Sequence, residues 1–380
     1  MNPGSTPRAL IIGGSIGGLL SAILLRAIGW RVDVFERSPH ALDSRGGGIV
    51  LQADVLHAFR FAGIRHGTLG VASGDRIFLD QAGDVLQRTW QPQTQTSWNM
   101  LYQTMRRALP DDCVHPGAAL ARVEQAADQV RAHFANGRSE AGDLLVGADG
   151  ARSTVRAQLL PDLAPAYAGY VAWRGLVPEP DLDPASRALL AGVFAFQQGD
   201  DHMLLEYLVP GEDGATQAGR RRWNWVWYRK VDAALLPALL TDRDGHPHAF
   251  SLPPGALPEA RARALRADAD AHLAPPFRAL VHGTTEPFIQ AILDLAAPRM
   301  VFGRIVLLGD AASVPRPHTA GGTAKAAANA LALAQALQRT EAPIERRLQA
   351  WEAEQLRAGR AMTDRGRAMG DRIMGIDRPA

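Results

Sequence analysis

Apolar and polar positions at the start of the chain predict a strand, a helix and a second strand. Residues 8–12 form a short, mostly apolar run typical of a buried strand, and Leu19–Ile28 is an apolar helical stretch that ends at Gly29. Arg31–Phe35 alternates polar and apolar residues, which indicates another strand. Glycines between the first strand and the helix mark a tight connection, so we interpret the segment as a βαβ unit.

Two later segments predict further strands. Residues 117–146 are typical of hairpins or a meander that ends in the strand Asp143–Val146. Residues 167–227 predict longer aromatic strands, including Met203–Leu208 and Trp223–Tyr228. Such a sheet either lines an aromatic pocket or packs only as a core.

The last part of the chain returns to strand and helix. Arg304–Leu308 predicts a buried strand, Gly309-Asp310 a turn, and Gly322–Leu337 an alanine-rich helix. After Ala342-Pro343 a polar amphipathic helix is predicted as far as about Arg372. We expect this helix to cover the fold or to contact a second copy of the chain.

Composition narrows the possible functions. The 380 residues suit about two domains, and Lys plus Arg (41) nearly balances Asp plus Glu (39), so no nucleic-acid partner is expected. The single cysteine, Cys113, excludes an intramolecular disulfide and favours a reducing compartment, so we expect a cytoplasmic protein. The N-terminal apolar run is too short to span a bilayer, so no membrane partner is expected. We find no histidine-rich or carboxylate cluster at metal-ligand spacing and predict no metal site.

The first turn, Gly13-Gly14-Ser15-Ile16-Gly17-Gly18, predicts a dinucleotide site. Gly13 allows the tight bend, a small residue at Ser15 lets a pyrophosphate approach the backbone, and Gly18 lets the helix pack on the strand. Ser15 departs from the usual glycine, so the turn alone is compatible with simple strand–helix packing. The predicted cofactor-binding residues here are Gly13, Gly14, Ser15, Ile16 and Gly18.

An acidic residue follows at the end of the second strand. Glu36 stands where a carboxylate accepts hydrogen bonds from the ribose hydroxyls of an adenosine. Taken alone, it is equally compatible with a solvated charge at a strand end. We assign Arg37 and Leu120 to the same site.

Two further motifs follow strands far along the chain: Gly147-Ala148-Asp149-Gly150-Ala151-Arg152-Ser153-Thr154-Val155-Arg156 and Gly309-Asp310-Ala311-Ala312. Each alone is compatible with an Asx-capped turn. Together with the first turn, they resemble the three fingerprints of the class A FAD-dependent aromatic monooxygenases, the para-hydroxybenzoate hydroxylase superfamily. The resemblance covers most of the chain.

Within that superfamily the sequence is most similar to the 2,6-dihydroxypyridine 3-monooxygenase group. The similar segments are the first turn, residues 167–175 and residues 309–318. Tyr102, Ser313, Ala320 and Ala328-Asn329 differ from residues that many superfamily members carry at these positions.

The resemblance implies roles for particular residues. Asp310 would bind the ribityl chain of FAD, and Asp149 would lie near the pyrophosphate and the pyridine nucleotide. The loop that carries the isoalloxazine would include Pro317, Gly321, Gly322 and Thr323, ahead of a helix whose amides stabilise negative charge on the reduced ring. Gly48, in Arg45-Gly46-Gly47-Gly48, either neighbours the flavin or belongs only to a turn.

The resemblance also implies the architecture. The expected fold is mixed α/β, with a Rossmann-like FAD-binding domain interleaved with a β-sheet substrate domain, followed by a C-terminal helix. The predicted FAD-binding domain comprises residues 1–70, 96–165 and 285–340. The substrate domain comprises 71–95 and 166–284, and residues 341–380 form the C-terminal helical segment.

The implied activity is aromatic hydroxylation. NADH or NADPH reduces FAD, the reduced flavin forms a C4a-hydroperoxide with dioxygen, and an electron-rich ring such as a dihydroxypyridine is hydroxylated. The expected partners are a small aromatic substrate, dioxygen and a second copy of the chain in a homodimer. An FAD-dependent reductase or oxidase without oxygen insertion, or a non-catalytic FAD-binding sensor, stays open.

Hydroxylation in this form needs a base that deprotonates a ring hydroxyl. We predict His202, on a strand of the substrate sheet, and second His318, beside the flavin loop, because imidazoles titrate in the useful range. A lone histidine also commonly has a structural role. Tyr207 and Arg174 are weaker candidates for orienting the substrate.

Overall fold

The computed structural model describes residues 6–40, 42, 47–339 and 341–376. The strands are β1 (Arg8–Ile12), β2 (Arg31–Glu36), β3 (Gly48–Val50), β4 (Val71–Leu79), β5 (Val85–Ser97), β6 (Val114–Pro116), β7 (Leu120–Gln125), β8 (Val130–Phe134), β9 (Ser139–Gly142), β10 (Leu144–Gly147), β11 (Ala166–Pro178), β12 (Val193–Gln198), β13 (His202–Val209), β14 (Arg222–Lys230), β15 (Ser251–Leu252), β16 (Phe288–Ala296), β17 (Val301–Phe302), β18 (Ile305–Leu307) and β19 (Ser313–Val314). The helices are α1 (Ile16–Ala27), α2 (Ala53–Phe61), α3 (Trp98–Arg107), α4 (Thr154–Leu159), α5 (Pro184–Leu190), α6 (Leu236–Leu239), α7 (Glu259–His272), α8 (Pro275–His282), α9 (Gly322–Gln338) and α10 (Ile344–Ile373).

A six-stranded sheet holds the first predicted motif. Its order is β17-β18-β10-β1-β2-β6, and β1 pairs in parallel with both β2 and β10. Leu10 and Leu145, side by side in register, are fully buried because helices cover the sheet. The parallel pairing brings the carboxyl ends of β1, β2 and β10 to one edge.

A larger sheet has the order β15-β16-β11-β14-β13-β12-β4-β5-β3. Side chains alternate between its two faces. One face buries Trp225 and Trp227 against residues of α5, α7 and α8, such as Phe277. The opposite face presents Tyr207 and Tyr228.

Most predicted elements are confirmed, including the βαβ unit, the aromatic strands and the two C-terminal helices. Helix α1 begins at Ile16, three residues before the predicted start, because Gly17 and Gly18 form part of its first turn. Strands β3 and β16 pair in the larger sheet although they fall in ranges predicted for the FAD-binding domain. The domain boundaries themselves stay a prediction.

Helix α10 packs along α9 and over the loop that precedes α9, which includes Arg316 and Thr319. Its glycines permit a close approach: a Cβ at Gly366 would lie 3.0 Å from the Arg316 amide nitrogen, and one at Gly370 would lie 2.5 Å from the Tyr170 hydroxyl oxygen. The helix therefore covers the fold, one of the two predicted roles. Among the helices of the described ranges, none is long and apolar enough to span a membrane.

Candidate active site

Two cavities adjoin where the sheets meet. The first cavity, about 380 Å³, lies at the carboxyl ends of β1, β2 and β10, where open α/β sheets bind ligands. The second cavity, about 340 Å³, lies between the larger sheet and residues 314–323. Gln290 on β16 lines both cavities.

The structure divides the predicted cofactor-binding residues between these cavities. The first cavity is lined by Gly13, Ser15, Glu36, Arg37, Leu120 and Asp149. The second cavity is lined by Gly48, Asp310, Pro317, Gly321, Gly322 and Thr323. Gly14, Ile16 and Gly18 lie in the first turn behind the cavity wall, whereas Arg45 and Gly46 lie outside the described residues.

Close backbone approaches explain two glycines of the first turn. Gly13 has a φ of +105°, and a Cβ there would lie 2.5 Å from the carbonyl oxygen of Ala148. A Cβ at Gly18 would lie 1.8 Å from the carbonyl oxygen of Gly13. Both positions therefore require glycine.

The N-terminus of α1 is suited to an anion. Ser15 is its N-cap residue, but the serine side chain makes no capping hydrogen bond. The first amides of the helix thus keep their donors available, and the helix dipole favours negative charge beside them. This arrangement fits the pyrophosphate of a dinucleotide.

Charged side chains complete the first cavity. Glu36 accepts hydrogen bonds from the amides of Gly14 (2.8 Å) and Ser38 (2.9 Å), which fix its carboxylate and leave lone pairs for ribose hydroxyls. Arg37 and Arg152 also line the cavity. Burial and the charge of Arg37 lower the pKa of Arg152, as expected for a cationic site that takes a diphosphate.

Asp149 has a structural task as well as a place in the cavity wall. Its Oδ2 accepts hydrogen bonds from the amides of Thr154 (2.6 Å) and Val155 (3.2 Å) at the start of α4. Burial raises the pKa of Asp149. Its buried Oδ1 has no hydrogen-bond partner within the described ranges.

Two residues of α9 hold the Gly309-Asp310 turn. Lys325 donates hydrogen bonds to the carbonyl oxygens of Gly309 (3.0 Å) and Ser313, and its Nζ lies 3.2 Å from Asp310 Oδ1. Asn329 Oδ1 accepts a hydrogen bond from the Gly309 amide (3.1 Å). Sequence reasoning missed Lys325. A single charged residue in an apolar helix is nevertheless a usable signal, because a buried lysine needs hydrogen-bond partners.

The loop before α9 has an unusual backbone. Ala320 adopts φ +50°, the left-handed region that favours glycine, and Gln52 donates to its carbonyl oxygen (3.1 Å). Gly321, the N-cap residue of α9, supplies no side-chain cap. The amides of α9 are therefore available to stabilise negative charge in the second cavity.

The remaining wall of the second cavity comes from the larger sheet. Its polar side chains are Arg174 on β11, Tyr207 on β13, Tyr228 on β14 and Gln290 on β16. Apolar side chains include Phe194, Leu205, Val226 and Ile292. Sequence reasoning missed Tyr228 and Gln290, because only strand pairing brings them beside Tyr207.

Gly48 lies close to this wall. Its amide donates a hydrogen bond to Asn224 Oδ1 (2.7 Å), and a Cβ would lie 2.3 Å from the Tyr207 ring. The turn that contains Gly48 thus borders the second cavity as well as leading into β3.

The structure places His202 away from both cavities. The His202 and Tyr207 side chains lie on opposite faces of β13 because five positions separate them. His202 Nδ1 accepts a hydrogen bond from Trp227 Nε1 (3.1 Å) on the apolar face. This geometry gives no support to His202 as the base. The sequence contains a signal for this outcome, because alternation along the predicted strand puts His202 and Tyr207 on opposite faces.

His318 belongs to the loop before α9, but it does not line the cavity. Its Nε2 is 2.8 Å from the Tyr170 hydroxyl oxygen, and its ring is 4.5 Å from the Tyr228 ring. Burial and the nearby Arg316 guanidinium lower the pKa of His318 to about 4. The imidazole is therefore neutral near neutral pH, and the geometry favours a packing role for it.

A cluster of metal-binding residue types is present, contrary to the sequence interpretation. Asp242, Asp244 and His246 bring ligand atoms within 4.8 Å of one another on a loop outside both cavities. Asp242 Oδ1 accepts hydrogen bonds from the amides of Asp244 and His246 (3.0 and 2.8 Å), so the carboxylate organises the loop.

Comparisons with known sequences place the chain among flavoproteins. A family model described as FAD binding domain-like matches residues 167–294. The 2,6-dihydroxypyridine 3-monooxygenase of Paenarthrobacter nicotinovorans is 32% identical over 374 residues, covering 98% of this chain and 93% of that protein. The 6-hydroxynicotinate 3-monooxygenase of Pseudomonas fluorescens is 28% identical over 355 residues, covering 87% and 83%.

Solved structures share the whole architecture. The 2,6-dihydroxypyridine-3-hydroxylase from Arthrobacter nicotinovorans superposes with a TM-score of 0.92 at 32% identity, covering 97% of this chain and 93% of that chain. Klebsiella pneumoniae HpxO, solved with FAD and uric acid, gives a TM-score of 0.80 at 25% identity, covering 98% and 90%.

Proposed function

This chain belongs to the FAD-dependent aromatic monooxygenases, and within that family we propose that it hydroxylates a small hydroxylated pyridine or a closely similar ring. The observation that carries the proposal is the second cavity. It joins the first cavity at Gln290 and combines apolar walls with a few polar side chains between the sheet and the loop before α9. The full-length similarity to enzymes named for hydroxypyridine and hydroxynicotinate substrates supports this substrate class.

FAD is the cofactor, and the residues of both cavities fit it. The glycine turn, the uncapped amides of α1 and Glu36 would hold its pyrophosphate and adenosine, and Asp310 its ribityl chain. When bound, FAD would supply the redox chemistry, namely acceptance of a hydride from NADH or NADPH and, in the reduced form, activation of dioxygen. One oxygen atom enters the ring, which loses a hydrogen, and the other leaves as water.

The protein's own contribution is placement and exclusion of water. Phe194, Leu205, Val226 and Ile292 line the second cavity with apolar surface, which protects a reactive oxygen species from water. The first amides of α9 face the same space and stabilise negative charge there. Arg174, Tyr207 and Tyr228 supply the polar contacts that orient a ring.

A substrate panel tests the proposal. Hydroxypyridines, hydroxybenzoates and purines are each added to the FAD-loaded enzyme with NADH or NADPH, and nucleotide oxidation, dioxygen uptake and products are measured. We expect hydroxypyridines to stimulate nucleotide oxidation and to yield one hydroxylated product per nucleotide. Oxidation that yields only hydrogen peroxide with every ring would contradict hydroxylation and would favour an oxidase.

We propose further that the protein forms a homodimer and that it works in the cytoplasm. Between Val85 and Thr94, β5 pairs only with β4 among the described strands, and Leu86 on this edge is 69% exposed. Sedimentation velocity of the wild type and of Leu86→Glu tests whether this edge forms the contact. The lone Cys113 supports a reducing compartment.

A further inference from the structure

Arg174 is a cationic side chain in the wall of the second cavity. It extends from the cavity face of β11, and its guanidinium makes no hydrogen bond or ion pair with any described residue. Its Nε is buried and unsatisfied. Because a buried donor without a partner is costly, and the side chain is cationic, an anionic ligand would fit this position.

A second unsatisfied donor lies close by. Asn224 is fully buried. Its Oδ1 accepts a hydrogen bond from the Gly48 amide, whereas its Nδ2 has no hydrogen-bond partner within the described ranges. A Cβ at Gly47 would lie 2.7 Å from Asn224 Oδ1 and 3.2 Å from an Arg174 terminal nitrogen, so the two side chains converge. Arg174 therefore lies beside a buried amide that has one donor unsatisfied by the described residues.

No described side chain of the second cavity is suited to remove a proton. Burial raises the pKa of both tyrosines, that of Tyr228 to about 12, although Arg174 opposes the rise. Asp310 forms an ion pair with Lys325 (3.2 Å). His318 lies outside the cavity wall, with its Nε2 engaged by Tyr170.

We propose that the substrate binds as its ring oxyanion, with Arg174 as its counter-ion, and that the hydroxyl proton is left in solvent before binding. The inference rests on the proposed function, since it concerns the same ring. An oxyanion makes the ring electron-rich without a base on the enzyme. The preferred substrates are therefore acidic hydroxylated N-heteroarenes, whereas phenols that stay protonated at neutral pH are disfavoured.

Proton release on binding tests the inference without turnover. The oxidised, FAD-loaded enzyme is titrated anaerobically in weak buffer, without nicotinamide nucleotide, at a pH where 2,6-dihydroxypyridine is mostly protonated. Flavin absorbance reports binding and an indicator dye reports protons. We expect about one proton released per ring bound. Binding with no proton release overturns the inference.

Resorcinol is the matched neutral ligand, because it has the same pair of hydroxyls on a carbocyclic ring. Removing a hydrogen bond to a charged group weakens binding by roughly 10- to 100-fold, so we expect that increase in the Kd of 2,6-dihydroxypyridine for Arg174→Gln. The Kd of resorcinol should change little. Arg174→Lys should recover part of the affinity, since it restores the charge but not the planar fork.

Arg229→Gln is the control for loss of an arginine from the same sheet. Arg229 lies on the opposite face of β14, paired with Asp268, and its variant should bind both rings as the wild type does. Unchanged FAD content of Arg174→Gln shows that the cofactor site is intact. Equal weakening of both ligands by Arg174→Gln contradicts a counter-ion role.

The pH dependence of kcat/KM provides a second measurement. For hydroxypyridines with different ring substituents, the acid limb should move with the pKa of each substrate. An acid limb that stays at one pH for all of them indicates an enzyme base and overturns the inference. Proton release without hydroxylated product would contradict the proposed function alone.

Discussion

The first and second cavities are built in different ways. The first cavity depends mainly on backbone: a glycine turn, the amides of α1 and the ends of strands that are adjacent in a parallel sheet. The second depends on side chains from β11, β12, β13, β14 and β16, with a loop that α9 and α10 hold in place. A cofactor site made of backbone leaves a recognisable sequence motif, whereas a substrate site made of side chains from several strands does not.

The largest effect is expected from adding a methyl group to the backbone-built cavity. Gly18→Ala places a Cβ 1.8 Å from the Gly13 carbonyl oxygen, so the turn must move and FAD binding should be lost. Flavin absorbance of the purified protein measures the bound fraction. Gly67→Ala is the control, because a Cβ there meets nothing within 4 Å; equal flavin content in both variants would contradict the steric argument.

A smaller effect is expected where a side chain supports the cofactor turn. Lys325→Met removes the donor shared by Gly309, Ser313 and Asp310, and should lower the free energy of unfolding by about 2 to 4 kcal/mol. Urea unfolding measures the change. Lys230→Met, at an exposed lysine, should cost less than about 0.5 kcal/mol. Similar losses in both variants would show that Lys325 does not support the turn.

His318 should make stability depend on pH. The unfolded chain takes up a proton near the ordinary histidine pKa of 6.5, whereas burial lowers the folded pKa to about 4. Above pH 6.5 neither state is protonated. As the pH falls from 6.5 towards 4, the folded state loses up to about 3 kcal/mol.

Urea unfolding across this pH range checks the prediction. His318→Gln should reduce the slope, and His57→Gln, at an exposed position on α2, should not. A slope that His318→Gln leaves intact would assign the dependence to other groups.

The smallest effect is a gain. Ala320→Gly removes the penalty of a left-handed alanine and should raise the free energy of unfolding by about 1 kcal/mol. Thermal unfolding measures it. A loss of stability would show that the Ala320 methyl group contributes packing that outweighs backbone strain.

Much of the architecture was predictable because it depends on local patterns. Glu36 is the last residue of β2 and Asp149 follows β10, so the strand ends that a periodic sequence reveals place both residues at one sheet edge. His202 shows what local patterns do not reveal. Its titration range makes it a candidate base, but the alternation of side chains along β13 places it on the tryptophan face.

Local sequence patterns predict the βαβ unit, the cofactor motifs, the aromatic strands and the family, because each depends on residues that are neighbours in the chain. The folded structure is needed to show that Arg174 and Gln290 share one cavity with Asp310, that Lys325 and Asn329 hold the Gly309 turn, and that the His318 side chain contacts Tyr170. Strand order and helix packing bring together residues that are far apart in the chain. Chain spacing carries no record of that proximity.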